Sequence, residues 1–243
     1  GPALFFFASS RLRVEPLFPV GSIFPRTNLS GTIRPMYDQH VTIKTFLDAA
    51  SAKQPTPGGG SVAAMTGALA ASMGEMVINY SIGKKGLEAY SQQLSEALRE
   101  IHNARNLLML LMEEDQHAFT ALTAARKLPE SDPNRRDQFN VALLACVRVP
   151  EAIGATSVAV LETCDRIVHM VNYHLLSDLA VCADLAMATA RCAVYSVKVN
   201  MNDVTHAEDR QRIEQVVGQL LSHAGLLIQR VSPRIWTRHA SGK

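Results

Sequence analysis

The chain has 243 residues, of which 47% are hydrophobic and 19% charged, and its formal net charge is +2. This composition excludes disordered, collagen-like and fibrous proteins and supplies enough apolar side chains for one substantial core. The near-neutral charge lacks the basic surface expected of a nucleic-acid-binding protein, so no nucleic-acid partner is expected.

The first 35 residues differ in composition from the rest of the chain. They contain five of the eleven prolines and five of the eight phenylalanines, without a helical or strand period. We predict that residues 1–35 are an unstructured or extended N-terminal extension and that residues 36–243 form one domain. A cloning remnant or a start assigned too far upstream, with Met36 as the natural start, is favoured over a targeting segment.

From residue 36 onward, apolar residues recur with a helical period, which predicts an all-α, single-domain bundle of six to seven helices. Thr42 is predicted to cap the first helix. The next helix is predicted over residues 61–79, where Glu75 is the one charged residue among small side chains. Its few large apolar residues give weak membrane-insertion energy, so we expect a buried central helix and no membrane partner. Three glycines at heptad spacing are expected to let neighbouring backbones approach this helix: Gly60, Gly67 and Gly74.

The third helix is predicted over residues 87–127 and carries an apolar seam typical of helical bundles. Two polar residues, Arg105 and Asp115, interrupt this seam. The apolar positions of the seam are Leu94, Leu98, Ile101, Leu108, Met112, Phe119 and Leu122. A carboxylate on a packing seam must be paired, hydrogen-bonded or protonated, and burial raises its pKa. Asp115 is therefore a candidate general acid or base, although a buried ion pair or local exposure of the seam would also explain it.

The second half of the chain is predicted to contain three or four further helices. Asp132 and Pro133 begin a helix that Pro150 interrupts or kinks. Further helices are predicted over residues 151–169 and 177–200. A capping box of Thr205 and Glu208 is predicted to begin the last helix.

The cysteine and histidine spacings do not indicate a metal site or a disulfide framework. Four cysteines, 18, 18 and 10 residues apart, occur in helical segments without a C-x-x-C pair: Cys146, Cys164, Cys182 and Cys192. We expect buried free thiols in a reducing, cytoplasmic compartment. His169 and His174 are five residues apart, off the spacing that aims two histidines of a helix at one ion, so no metal ligand is expected.

A glycine-rich turn precedes the predicted central helix. Its residues Gly58, Gly59, Gly60 and Ser61 place free backbone N–H groups at the positive end of the helix dipole, where carboxylate, phosphate or carbonyl oxygens bind. The turn is neither a P-loop nor a dinucleotide-binding motif. A purely structural role, in which glycine allows a tight turn, explains the same residues.

Two further polar groups stand at helix ends. Asn172, Ser177 and Asp178 lie between two apolar helices, where Ser177 is predicted to cap the helix and Asp178 to occupy its first turn. Lys84 and Lys85 follow the central helix and complement its dipole. Exposure to solvent and capping of the helix ends would explain both groups without a function in binding or catalysis.

Several of these residues belong to motifs that occur in a specific order. The motifs are residues 56–64 (TPGGGSVAA), Gly83-Lys84-Lys85, Asp115 with Ala118-Phe119, Lys127-Leu128-Pro129, Val149-Pro150, Asn172 with Ser177-Asp178, and Val199-Asn200. Together, over about residues 42–204, they resemble the cyclodeaminase-type C-terminal domain of formiminotransferase-cyclodeaminase and the related stand-alone methenyltetrahydrofolate cyclohydrolases.

The resemblance implies an all-α homodimer that acts on a reduced folate, with one glutamate or polyglutamylated, and that has no tightly bound cofactor. Asp115 matches the family's catalytic aspartate. We expect the glycine-rich turn (Gly58, Gly59, Gly60, Ser61) to contact the pterin or the glutamyl tail. Asn172 and Asp178 are expected to bind the edge of the pterin, and Lys84 or Lys85 the anionic glutamates, which are the substrate's acidic groups.

The motifs leave the reaction open. Hydrolysis of 5,10-methenyltetrahydrofolate to 10-formyltetrahydrofolate is favoured, because no transferase domain accompanies the motifs. The alternatives are formimidoyltetrahydrofolate cyclodeaminase, which releases ammonia, and a non-catalytic folate- or pterin-binding helical dimer. Tyr173, His174 and Met201 depart from the family pattern, which leaves a modified pterin carrier open as the substrate.

Overall fold

The structure, a computed structural model, describes residues 37–242. The predicted extension of residues 1–35 and the proposed start at Met36 lie outside the described residues. Within residues 37–242 the chain forms α-helices and short 3-10 turns and no strand, which confirms the predicted all-α bundle. The six α-helices are α1 (Ile43–Ser51), α2 (Gly59–Asn79), α3 (Ser91–Lys127), α4 (Arg135–Ile167), α5 (Leu176–Met201) and α6 (Ala207–Ser241).

Helix α2 lies at the centre of the bundle and runs antiparallel to α3 and α5. A Cβ at Gly67 would lie 3.1 Å from Leu108 of α3 and 3.0 Å from Thr189 of α5. A Cβ at Gly74, two turns later, would meet earlier residues of both helices. The prediction of a buried central helix is thus confirmed, and its glycines make room for side chains of both neighbours. The helix begins at Gly59, two residues before the predicted start.

Helix α3 buries a stripe that is shifted to one side of the predicted seam along the helix. Phe119, predicted on the seam, is 39% exposed, and Ala118 is buried instead. The same shift occurs two heptads earlier, where Ala104 is buried and Arg105 is only partly buried, so the buried stripe keeps its heptad spacing along the helix. Arg105 pairs with Glu75 of α2 at 2.7 Å.

Helix α4 continues through Pro150, so the predicted interruption and the separate helix over residues 151–169 are wrong. Proline has no N–H to donate to the carbonyl of Cys146, four residues earlier. The side-chain amide of Asn200, on α5, donates a hydrogen bond to this carbonyl at 2.9 Å. A contact from a neighbouring helix therefore replaces the missing helical bond.

Helix α6 covers α4 and α5. His223 contacts Glu162 at 2.8 Å, and Arg234 contacts Asp165 at 2.6 Å. The predicted capping box is wrong, because α6 begins at Ala207, after Thr205, and its N-cap residue makes no side-chain capping bond. Ser177 likewise does not cap α5, which begins at Leu176.

Three helical segments, α2, α4 and the segment from Tyr173 to Met201, are long and apolar enough to cross a bilayer by length and composition alone. In the bundle they pack against one another, and 72% of the most apolar part of α4 is buried. Cys146, Cys164 and Cys182 are buried free thiols, as expected, whereas Cys192 is exposed. Cys192 lies on the face of α5 that turns away from the core, which the sequence spacing did not reveal.

The pairing of Pro150 with Asn200 is testable. We expect Asn200→Ala to lower the free energy of unfolding by about 1–3 kcal/mol, because it leaves the Cys146 carbonyl without a partner. Pro150→Ala restores a backbone donor to this carbonyl, so the double variant is expected to recover most of the loss. Urea unfolding of the four proteins measures both effects. Equal losses from Asn200→Ala with and without Pro150 would contradict the pairing.

Candidate active site

The N-terminal end of α2 meets the carboxyl group of Asp115. Ser61 Oγ donates a hydrogen bond to Asp115 Oδ2 at 2.7 Å. A Cβ at Gly60 would lie 2.6 Å from the carboxyl carbon of Asp115, so only glycine allows this approach. Gly58 is the N-cap residue and supplies no side-chain capping bond, so Asp115 of α3 takes the place of a capping side chain.

Burial controls the acidity of this carboxyl group. Burial raises the pKa of Asp115 above its ordinary value, and hydrogen bonds from the side chain and backbone of Ser61 lower the pKa by a smaller amount. The positive end of the α2 dipole acts in the same direction as the Ser61 bonds. The result is a carboxyl group with a raised pKa that is also held in one orientation, which are the properties of a general acid or base.

The alternative explanations of Asp115 as part of an ion pair or of an exposed stretch are not supported by the contacts. Arg105 pairs with Glu75, and Asp115 is partly buried between α2 and α3. On the α4 side lies Cys146, and burial together with the Asp115 charge raises the pKa of its thiol to about 12. The thiol is therefore protonated at neutral pH and is not a nucleophile here.

The glycine-rich turn leaves open space beside this carboxyl group. Gly59 is exposed, and a Cβ there would meet no atom within 4 Å. Gly58 is partly buried, whereas Gly60 and Ser61 are buried. The predicted residues Gly58, Gly59, Gly60, Ser61 and Asp115 are thus brought together at one end of the bundle.

The remaining predicted residues lie at the other end of α2. Lys84 Nζ donates to Asn172 Oδ1 at 2.7 Å, and the Asn172 backbone N–H donates to Ser81 Oγ at 2.8 Å. Asp178 is in the first turn of α5, close in sequence to Asn172, and Lys85 is exposed. Lys84 therefore makes a side-chain hydrogen bond, which the predicted interaction with the helix dipole did not include.

The two groups of predicted residues are not brought together within one chain. Helix α2 has 21 residues. At the helical rise per residue, this length separates Asp115 from Lys84 and Asn172 by about 30 Å. Asp115 with the glycine-rich turn and Lys84 with Asn172 therefore do not line one compact pocket within a protomer.

Exposed apolar residues occur along α2 and α5 between the two ends, and we call the surface that carries them the α2–α5 face. On α2 it contains Val62, Leu69 and Tyr80, which are 42%, 52% and 66% exposed. On α5 it contains Val181 and Tyr195, which are 46% and 60% exposed. Several exposed apolar residues on two neighbouring helices indicate an interaction site.

Three residues near the site were missed by the sequence analysis: Tyr37, Gln54 and Gln116. Gln116 follows Asp115 directly in the sequence, and this position was the available signal, whereas its exposure of only 1% is known from the structure alone. Tyr37 and Gln54 carried no signal, because their role depends on contacts between distant segments. In the part of the chain that the structure describes, no group of three or more potential metal-ligating side chains occurs.

Comparison with known proteins assigns the family. Residues 42–219 match the model of the family described as formiminotransferase-cyclodeaminase. The chain belongs to this family. The resemblance inferred from the sequence motifs is therefore confirmed.

Individual members of the formiminotransferase-cyclodeaminase family carry two different activity names. The methenyltetrahydrofolate cyclohydrolase of Methylorubrum extorquens is 33% identical, over 78% of this chain and 93% of that protein. The formimidoyltransferase-cyclodeaminase of Gallus gallus is 31% identical over 74% of this chain, which spans only 34% of that protein. A crystal structure of formiminotetrahydrofolate cyclodeaminase from Thermotoga maritima superimposes with a TM-score of 0.76 at 25% identity, covering 82% of this chain and 97% of that one.

The raised pKa of Asp115 has a consequence for stability. When the folded-state pKa of an acid lies above its unfolded-state value, ionisation opposes folding, and stability is lost as the pH rises between the two values. Asp115→Asn is therefore expected to be more stable than the wild type at pH 7, with a gain that grows as the pH rises from about 4. Thermal unfolding at several pH values measures this difference.

The control for this experiment is Asp137→Asn, because Asp137 is an exposed acid in the first turn of α4. Its substitution is not expected to produce a stability gain that grows with pH. A loss of stability in Asp115→Asn at pH 7 would show that the hydrogen bonds to Ser61 outweigh burial.

Proposed function

We propose that this protein hydrolyses 5,10-methenyltetrahydrofolate to 10-formyltetrahydrofolate. The observation that carries the proposal is the partly buried Asp115 carboxyl group, held by Ser61 at the N-terminal end of α2 beside the open glycine-rich turn. The extensive match to the Methylorubrum extorquens cyclohydrolase, over most of both chains, supports this reaction.

Asp115 suits both proton transfers of the hydrolysis. Its carboxylate takes a proton from the water that adds to the methenyl carbon between N5 and N10. The resulting tetrahedral carbon loses its bond to N5 as Asp115 returns the proton to this nitrogen. The remaining hydroxyl group loses its proton to solvent as the formyl C=O forms on N10. An ionised carboxyl group also stabilises the positive charge of the methenyl substrate.

The substrate-binding roles follow from the chemistry of a reduced folate. The exposed Gly59 leaves room for the flat ring, and the free N–H groups of the turn donate hydrogen bonds to a carbonyl oxygen of the substrate. Lys84 and Lys85 bind the glutamate carboxylates. Asn172 and Asp178 hydrogen-bond the amino and amide groups of the pterin edge. No tightly bound cofactor is required, and the free thiols support a reducing, cytoplasmic location.

We further propose that the active unit is a homodimer formed through the α2–α5 face. A twofold axis near Leu69 places α2 of one protomer antiparallel to α2 of its partner. The end that carries Asp115 then lies against the end of the partner that carries Lys84 and Asn172. This arrangement unites the predicted residues, which are about 30 Å apart within one chain.

The charges on the α2–α5 face support a second copy as the partner. Asp184 and Arg191 are exposed on α5, and they lie on either side of the exposed Ala188. An antiparallel crossing at Ala188 pairs Asp184 of each protomer with the partner's Arg191. A self-complementary arrangement of this kind is what an isologous interface requires.

Cyclodeamination of 5-formimidoyltetrahydrofolate is the second candidate reaction, supported by the similarity to the Thermotoga maritima and Gallus gallus proteins. There N10 attacks the formimidoyl carbon, and ammonia leaves after a proton reaches it. The same tetrahedral carbon between two nitrogens forms in both reactions, so one positioned carboxyl group serves either.

The first activity test uses the near-ultraviolet absorbance of the methenyl compound. We expect the wild-type protein to accelerate the loss of this absorbance and Asp115→Asn to lower the turnover number by about a hundredfold or more, because the proton carrier is lost. The exposed Asp137→Asn is the matched control and is expected to retain wild-type turnover. Ammonia release from the formimidoyl compound would assign the cyclodeaminase. Folate binding without either reaction would leave a binding protein.

The second test is complementation between two inactive variants. Co-expressed Asp115→Asn and Lys84→Ala chains form mixed dimers in which one of the two composite sites is intact. Random pairing makes about half of the dimers mixed, so about a quarter of wild-type turnover is expected. Each variant alone is expected to remain inactive. A site contained within one chain would give no recovery.

The interface has its own control variants. Leu69→Asp places a charge on the α2–α5 face and is expected to give monomers by sedimentation and to prevent complementation. Leu226→Asp changes a similarly exposed leucine of α6 and is expected to do neither. Dimers that persist in Leu69→Asp would contradict the proposed interface.

A further inference from the structure

The segment before α1 is attached to α3 directly beside Asp115. The Tyr37 backbone N–H donates to Gln116 Oε1 at 3.0 Å, and Gln116 Nε2 donates to the Tyr37 carbonyl at 2.8 Å. Gln116 Nε2 also contacts the Met112 carbonyl at 3.1 Å. A buried glutamine thus pairs with the backbone of residue 37 through both its amide oxygen and its amide nitrogen.

The side chain of Tyr37 extends this attachment to the glycine-rich turn. Gln54 Nε2 lies 3.1 Å from the Tyr37 hydroxyl oxygen and 2.9 Å from the Thr56 carbonyl. The same nitrogen is 3.1 Å from the carbonyl of Ala49, near the end of α1. Gln54 therefore holds the start of the turn against both α1 and Tyr37.

The contacts of Tyr37, Gln54 and Gln116 form a network that joins the two components of the candidate site, the glycine-rich turn and the Asp115 carboxyl group. One end of the network, Gln116, is covalently next to Asp115. The other end, Thr56, is two residues before Gly58, the N-cap of α2. The direct contact between the two components is the bond from Ser61 to Asp115. The network is a second, indirect connection between them.

We propose that Tyr37, Gln54 and Gln116 are positioning residues that hold the glycine-rich turn at a fixed separation from the Asp115 carboxyl group. They act on turnover indirectly, because Gln54 contacts the backbone of the turn and Gln116 is the residue next to Asp115 in the chain. A displacement of about 1 Å between a catalytic group and its substrate is enough to lower turnover strongly. The inference rests on the proposed folate reaction for its kinetic consequences.

The test compares substitutions in the network with matched substitutions outside it, in the full-length protein. Gln54→Met removes the amide donors at similar volume, and Tyr37→Phe removes only the hydroxyl acceptor. The controls are Gln92→Met, at an exposed glutamine of α3, and Tyr90→Phe, at a partly buried tyrosine. We expect Gln54→Met to lower kcat about tenfold and Tyr37→Phe about threefold, with KM within twofold of wild type.

A second measurement does not depend on activity. Hydrogen exchange is expected to accelerate in the peptide that covers residues 54–61 of both network variants and to remain unchanged in α4. Unchanged exchange in this peptide, or kcat equal to that of the controls, would overturn the positioning role. If the wild type does not act on folates while exchange responds as expected, the proposed reaction fails and the structural connection stands.

Discussion

The approach of the Asp115 carboxyl group to the N-terminal end of α2 is the interaction on which the site depends. It requires glycine at position 60, because a Cβ would lie 2.6 Å from the carboxyl carbon. The contact caps a helix whose own N-cap residue is glycine, and it also keeps a partly buried acid in one orientation. Burial raises the pKa of this acid at a cost in stability, a common property of groups that carry out proton transfer.

The central position of α2 explains both the compact packing and the division of the predicted residues. Its small side chains allow α3 and α5 to pack closely on it, which buries most of the helix. Its length places the carboxyl group and the basic group at opposite ends of the bundle. The same helix carries an exposed apolar stripe with Leu69 near its middle, so a twofold axis there offers one way to unite the two ends.

Much of the architecture follows from sequence patterns because helix formation is governed by local periodicity. Thr42 caps α1 as predicted, since capping involves residues three apart in the chain. The predicted break at Pro150 is wrong because Asn200, 50 residues later, supplies the missing donor. Phe119 is exposed because the neighbouring Ala118 faces the core in its place, which the packing of α3 against other helices decides. Each error concerns a contact with a distant segment that no short window of sequence contains.

The sequence by itself determined the all-α class, the central small-residue helix and the family, because these depend on periodicity and on motifs in a fixed order. It also singled out Asp115 as a polar interruption of an apolar seam. Only the tertiary structure decided that Asp115 meets Ser61, that Lys84 meets Asn172 about 30 Å away, and that Tyr37 connects the turn to Gln116. These facts depend on the packing of distant segments, where a shift of one residue in the register of two helices changes which side chains meet.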